Sequence, residues 1–176
     1  MTTSCPGSNR ARTVASQPDP DALRRTFAAF PSGVTAVAAF VDDRPVGMAA
    51  SSFISVSLDP PLVSVCISRT SQTWPLISSA QRIGISVLAE GHTDACRQLA
   101  AKSGDRFAGL NWRRSAADAV LLTDASAWLE CSVCEVLPAG DHFIVVLEVH
   151  RHGVDARIGP LVFHRSRFHR LEQRAS

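Results

Sequence analysis

The chain has no tyrosine, and aromatics make up only 6% of its 176 residues. Lys102 is its one lysine; the other basic side chains are arginines. The formal net charge is only +2, and the basic residues are not interleaved with a stacking platform, so nucleic acid is not an expected partner. No apolar run is long enough to cross a bilayer. Arg10 and Arg12 stand near the start without an apolar stretch behind them, which does not fit a secretory signal and makes a cytoplasmic location the expectation. The cysteines, Cys5, Cys66, Cys96, Cys131 and Cys134, are odd in number and irregularly spaced, against a disulfide framework. Cys131 and Cys134 form a C-x-x-C inside a strand-like run, where residues three apart face opposite sides, so a metal or redox pair is not expected. His150 and His152 share a strand face, but no third ligand with suitable spacing accompanies them, and they read as surface histidines. G-x-G-x-x-G, the P-loop and G-x-S-x-G are missing, so a nicotinamide, if used, is not held by a Rossmann unit.

What is present is ordinary globular composition, 45% apolar and 19% charged, enough for one domain with a substantial core. Residues 1–18 are polar and aperiodic and read as a tail, with the domain over 19–176. Asp19-Pro20-Asp21 predicts a capped helix start, and Leu23, Phe27 and Phe30 form one apolar stripe behind it. Val34–Val41 reads as a strand joined to the next by the turn residues Asp42-Asp43. The central stretch G-M-A-A-S-S-F-I-S-V-S-L-D-P-P, Gly47 to Pro61, alternates strictly and reads as one strand. One side of it is small and hydroxylated, suited either to a flat ligand or to a solvated face. Further strands are expected at Leu62–Ile67, Arg82–Ala89, Ala127–Leu137, His142–His150 and Leu161–Phe163, and a helix at Thr93–Ala101. About seven strands, two or three helices and no βαβ alternation predict a mainly β (α+β) fold, an antiparallel barrel with peripheral helices.

Three stretches carry candidate chemistry. Ser68-Arg69-Thr70-Ser71-Gln72-Thr73 precedes a short helix at Trp74-Pro75, with Thr73 as its expected cap. Hydroxyls, a guanidinium and a helix start suit a phosphate, or else form an ordinary capped loop. Lys102 to Trp112 is a glycine-punctuated loop whose Phe107 and Trp112 either cover a ring ligand or plug the barrel or a subunit contact. His142 follows Asp141 at a hairpin, and reads either as an ionisable group set beside a carboxylate or as a hairpin-tip histidine that only bonds its turn. Arg165, Arg167, Arg170 and Arg174 read as a solvated basic face.

The segments F-P-S-G-V-T-A-V, G-M-A-A-S-S-F-I-S-V-S-L-D-P-P-L-V-S-V-C-I, S-R-T-S-Q-T, D-R-F-A-G and A-G-D-H occur in that order. Together, over roughly Leu23 to Leu171, they resemble the short-chain flavin reductases, the flavin:NADH oxidoreductase components of two-component monooxygenases, the actinorhodin-pathway type included. The resemblance implies a homodimeric FMN-binding split β-barrel. It implies that Met48, Ala49, Ala50, Ser51, Ser52 and Phe53 line the isoalloxazine of FMN or FAD. Cys66, Ile67, Ser68, Arg69, Ser71 and Thr73 then meet the ribityl chain and phosphate, Arg106 and Phe107 lie close to the flavin, and His142 helps receive NADH or NADPH. The chain departs from the family at Ala49, where threonine is usual, and at Glu148, where a glycine is common. The implied activity is flavin reduction by hydride from the nicotinamide, with the reduced flavin passed to a flavin-dependent monooxygenase. The competing readings are a non-catalytic flavin carrier or redox sensor on the same barrel, and an oxidase acting on a phosphorylated amine.

Overall fold

The structure, a computed structural model, describes residues 19–172. The expected tail over 1–18 lies outside them, as do Cys5 and Arg174. Helix α1 (Pro20–Phe27) begins where the sequence predicts: the Asp19 carboxylate accepts the N–H groups of Asp21 and Ala22 at 3.2 and 3.1 Å. Its apolar stripe covers no core. The helix buries no residue, and Phe27 is 65% exposed.

Strands β1 (Ser32–Gly33), β2 (Thr35–Val41), β3 (Arg44–Ala50), β4 (Ile54–Leu58) and β5 (Pro61–Ser68) follow. Then come α2 (Trp74–Ile77), β6 (Ile83–Val87), α3 (Thr93–Leu99), β7 (Trp112–Arg114) and β8 (Val120–Leu122). The chain continues through β9 (Ala127–Ala139), β10 (His142–Val154), β11 (Val162–His164) and β12 (Arg167–His169). Seven strands make one antiparallel sheet in the order β3-β2-β6-β9-β10-β5-β4, and β1-β11-β12 and β7-β8 form small sheets beside it. This is the expected mainly β, antiparallel split barrel with helices at its periphery. Among the described residues no helix is long and apolar enough to cross a membrane.

The expectation of one continuous strand from Gly47 is corrected. The run breaks at Ser51-Ser52-Phe53, and its halves, β3 and β4, become the two opposite edges of the main sheet. Ala50 and Ile54 are four steps apart, which spans at most about 14 Å. Edges so tethered require the sheet to roll up until they nearly meet, and no ladder closes the remaining gap. The break also reverses parity: Met48 and Phe53, an even and an odd position, both pack on the inner core. The apolar residues of β4 consequently face out, with Leu58 95% exposed. Strands β1, β7, β8 and β12, two or three residues each, were not expected, because such lengths carry no readable period.

Side-chain alternation divides the core into two layers. Val37, Val65, Ile83, Ile85, Cys131, Val145 and Leu147 fill the barrel interior. Outside it, Ala36 and Ala38 of β2 lie under Leu88, Leu99, Phe107, Val120 and Leu161. Beta-strand β8 packs directly on β6: a Cβ at Gly84 would fall on the Val120 carbonyl oxygen, and the Ser86 hydroxyl accepts the Leu122 N–H at 2.9 Å. Cys131 is buried and Cys134 exposed, so the C-x-x-C residues point apart as expected. Burial, with Glu130 adding to it, pushes the Cys131 thiol up to about 12.

Two outcomes follow. Gly84→Ala forces the two backbones apart and is expected to cost at least about 2 kcal/mol in urea unfolding. Gly91→Ala, with open space around it, should leave the midpoint unchanged. The second concerns His92, whose Nδ1 accepts the Ala89 N–H at 3.1 Å. Burial lowers its pKa, against smaller raising effects of Asp124 and the Thr123 backbone. The unfolded chain therefore takes the proton first. Stability from neutral His92 is complete above roughly pH 6.5 and is lost as pH falls toward the lower folded value. Thermal melts should decline as pH falls below about 6.5, and His92→Gln should flatten that decline.

Candidate functional site

A cleft of about 700 Å³ opens where β3 ends, where β5 ends, and where the loops after β5 and α3 approach each other. It has the size of a small-molecule site. Met48, Ala49, Ala50, Ser51 and Ser52 form one wall. Cys66, Ile67, Ser68, Ser71 and Thr73 form the opposite one, and Arg106 and His142 complete it. Segments far apart in sequence and anticipated separately thus meet around one space. Leu99, Ala100, Thr70, Gln72 and Lys102 also line it. Sequence reasoning missed Lys102, for which its place in the loop before Arg106 was the one available signal.

The wall from β3 continues past the strand because Ser52 replaces a missing ladder partner. The Cys66 N–H donates to the Ser52 hydroxyl at 2.9 Å, and that hydroxyl donates to the Cys66 carbonyl at 3.1 Å. Opposite, Ser68 and Thr70 share a hydroxyl contact at 2.9 Å. The Ser71 hydroxyl accepts the Trp74 N–H at 3.1 Å and caps α2, whereas Thr73, the expected cap, makes no such bond. Thr73 instead accepts from Arg106 at 2.7 Å, and the same guanidinium nitrogen donates to the Gly47 carbonyl at 3.1 Å. Arg106 is thereby held by two neutral acceptors with its charge uncompensated by either.

Three expected residues are not on this wall. Phe53 packs against the inner core. Phe107 is buried in the outer layer, edge-on to Trp112, with its ring where a Gly47 Cβ would need to be. The expected smallness at Gly47 is thus used by Phe107, and the loop aromatics plug the outer core. Arg69 donates to the Gly140 carbonyl at 3.4 Å, lies over the Phe143 ring, and its N–H donates to the Asp141 carbonyl at 3.0 Å. It clamps the turn between β9 and β10 and so positions His142. Ala49 packs on the outer layer, and nothing in the structure explains Glu148, which is exposed on β10.

His142 Nδ1 lies 2.8 Å from the Asp141 carboxylate. The carboxylate only accepts, so Nδ1 carries the proton and Nε2 is left for the cleft. The hydrogen bond to His142, with that ring's charge, holds the Asp141 carboxyl below the usual carboxylate range. No Asp or Glu lines the cleft, while Lys102, Arg106 and several hydroxyls do. That donor set suits a phosphorylated ligand whose remainder is neutral and polar-edged.

The flavin reductase like domain family model matches residues 27–172. A probable flavin reductase of Rhizobium meliloti is 43% identical over 129 residues, covering 73% of this chain and 42% of that protein. The chain therefore spans about two fifths of that relative's length. An actinorhodin polyketide dimerase of Streptomyces coelicolor is 43% identical over 153 residues, with 85% of each chain covered. An NADH:FAD oxidoreductase of Streptomyces globisporus C-1027, solved in complex with NAD and FAD fragments, superposes with a TM-score of 0.84 at 34% identity, covering 90% of this chain and 96% of that one. With the family model matched over nearly all the described barrel, the chain belongs to the flavin reductase like domain family.

Proposed function

We propose that the protein is an NAD(P)H:flavin oxidoreductase that reduces FMN or FAD and supplies reduced flavin to a partner monooxygenase. The observation that carries this reading is the carboxylate-free cleft, which joins the Lys102–Arg106–Thr73 cation and hydroxyl cluster to His142. Arg106, Thr73 and Lys102 hold the flavin phosphate, as charged donors do for phosphoryl oxygens. The short segment from Ala49 to Ser52 offers backbone groups and hydroxyls to the polar edge of the ring system. Ser52 cannot swing away, because both its hydrogen bonds lock it to Cys66.

A bound flavin supplies the two-electron acceptor for hydride from the nicotinamide. The chain's own contribution is positioning, which suits a site without an acid–base triad. His142 presents Nε2 to the cleft, and Arg69 and Asp141 hold the turn that carries it. The Nε2 atom accepts a hydrogen bond from an incoming amide when neutral and donates one when protonated.

The protein acts as a homodimer in this reading. Strand β4 is a sheet edge with Ile54, Val56 and Leu58 exposed, and an apolar edge of this kind invites pairing. A second copy covers it. A cytoplasmic setting agrees with the free thiols of Cys66, Cys96, Cys131 and Cys134, which such a compartment keeps reduced.

The test is spectrophotometric. Purified protein should oxidise NADH or NADPH only when flavin is added, and no consumption with either flavin under air defeats the reading. Arg106→Met removes the phosphate contact and should weaken FMN binding about tenfold or more while affecting riboflavin far less. In sedimentation velocity, Val56→Glu should shift the dimer toward monomer.

A further inference from the structure

We propose that Arg69 couples the two ligands of the cleft, so that a flavin phosphate gripped at Thr73 and Arg106 improves acceptance of the nicotinamide at His142; this rests on the flavin reading above. Both ends of the link stand on one short stretch of chain. Thr73, which accepts from Arg106 at 2.7 Å, closes the loop after β5. Arg69 opens it, and only Thr70, Ser71 and Gln72 lie between. Arg69 also reaches the β9–β10 turn. Its N–H donates to the Asp141 carbonyl at 3.0 Å and its guanidinium to the Gly140 carbonyl at 3.4 Å. The same guanidinium lies 5.6 Å over the Phe143 ring. Gly140, Asp141 and Phe143 flank His142, which itself pairs with Ser68 across the β5–β10 ladder.

The loop holds itself by bonds for which a phosphate competes. Ser68 and Thr70, on either side of Arg69, share a hydroxyl contact at 2.9 Å, and the Thr70 N–H donates to the Ser68 hydroxyl at 3.3 Å. Both residues line the cleft, on the same wall as Ser71 and Thr73. A charged phosphoryl oxygen is a stronger acceptor than a neutral hydroxyl. A phosphate seated at Thr73 and Arg106 therefore draws these donors toward itself. Exchanging hydroxyl–hydroxyl for hydroxyl–phosphate bonds resets the backbone on both sides of Arg69. The guanidinium passes that adjustment to Gly140 and Asp141, and so to the direction of His142 Nε2. Its bond to Gly140 is long for a hydrogen bond and has room to shorten. An exchange between two bonded arrangements is the physical means by which one site biases another. Arg69 is in this sense a positioning residue, acting on the nicotinamide through His142.

The experiment compares FMN with riboflavin, which has the same ring and lacks the phosphate. Stacking of the nicotinamide on the ring is then common to both. NAD+ is titrated by calorimetry into protein saturated with either flavin; being oxidised, it binds without turnover. Salt of about 0.15 M screens direct repulsion between the phosphates beyond about 8 Å. The FMN-loaded wild type is expected to bind NAD+ about fivefold more tightly than the riboflavin-loaded one. Coupling is reciprocal, so NAD+ should sharpen the preference for FMN over riboflavin by the same factor. Arg69→Met, checked for folding by thermal melts, should bring the NAD+ ratio to about one while each flavin alone binds within about twofold of wild type. Equal NAD+ affinities in the two loaded forms of the wild type overturn the coupling and leave the flavin reading standing. If Arg69→Met weakens FMN but not riboflavin in the absence of NAD+, Arg69 is a phosphate ligand and the proposal is wrong. It is also wrong if the variant lowers NAD+ affinity equally with both flavins, for Arg69 then merely supports the turn. If neither flavin binds, the flavin reading fails, and the coupling falls with it.

Discussion

The Ser52 hydroxyl does the work of a strand across the gap in this barrel. By accepting from the Cys66 N–H and donating to the Cys66 carbonyl, it satisfies both backbone groups that β4 is too short to reach. Each bond is worth only about 1 kcal/mol net, but leaving both groups unpaired in a half-buried position costs more. The geometry matters beyond the energy. A sheet closed by a regular ladder would have strand where the cleft now lies. A single side chain holds the edges together at one point and leaves open the space between Met48–Ser52 and Cys66–Thr73.

The same economy runs through the outer layer. Gly47 has no side chain, so Phe107 can pack behind β3. That packing brings the loop carrying Lys102, Asp105 and Arg106 down onto the strand. Arg106 then reaches the Gly47 carbonyl and the Thr73 hydroxyl. One apolar plug therefore places Lys102 and Arg106 at the cleft. On the other side, Arg69 bonds the Gly140 and Asp141 carbonyls of the β9–β10 turn, and the Asp141 carboxylate holds the His142 ring. Arg106 is set by bonds to a backbone carbonyl and a hydroxyl, which leaves its charge available to a ligand.

Much of this was legible from residue order. Asp19 and Pro20 start α1 because capping is a local matter. The Asp42-Asp43 turn, with positive φ at both residues, and the long β9–β10 hairpin follow from turn chemistry and alternation. The same alternation misled at Gly47–Leu58. Period 2 continues on paper through Ser51–Phe53, but the ladder does not, since the hydroxyl of Ser52 was needed elsewhere. The stripe Leu23–Phe27–Phe30 was legible as one apolar face, but amphipathicity does not say what covers it, and in α1 nothing among the described residues does. Of the two readings open for Phe107, the structure shows the plug, and Arg69 is turned to the Gly140 carbonyl: an aromatic plugs a core as readily as it covers a ligand, and a guanidinium binds a carbonyl as readily as a phosphate.

The order of elements, the hydroxyl-rich loop after β5 and the pairing of Asp141 with His142 depend on neighbours in the chain, so the sequence alone determined them. The meeting of the β3 end, the β5 end, the Lys102–Arg106 loop and the β9–β10 turn around one space was decided only by the rolled sheet. A three-residue tether between opposite edges forces that curvature, and long-range closure of this kind leaves no local signature in the order of residues.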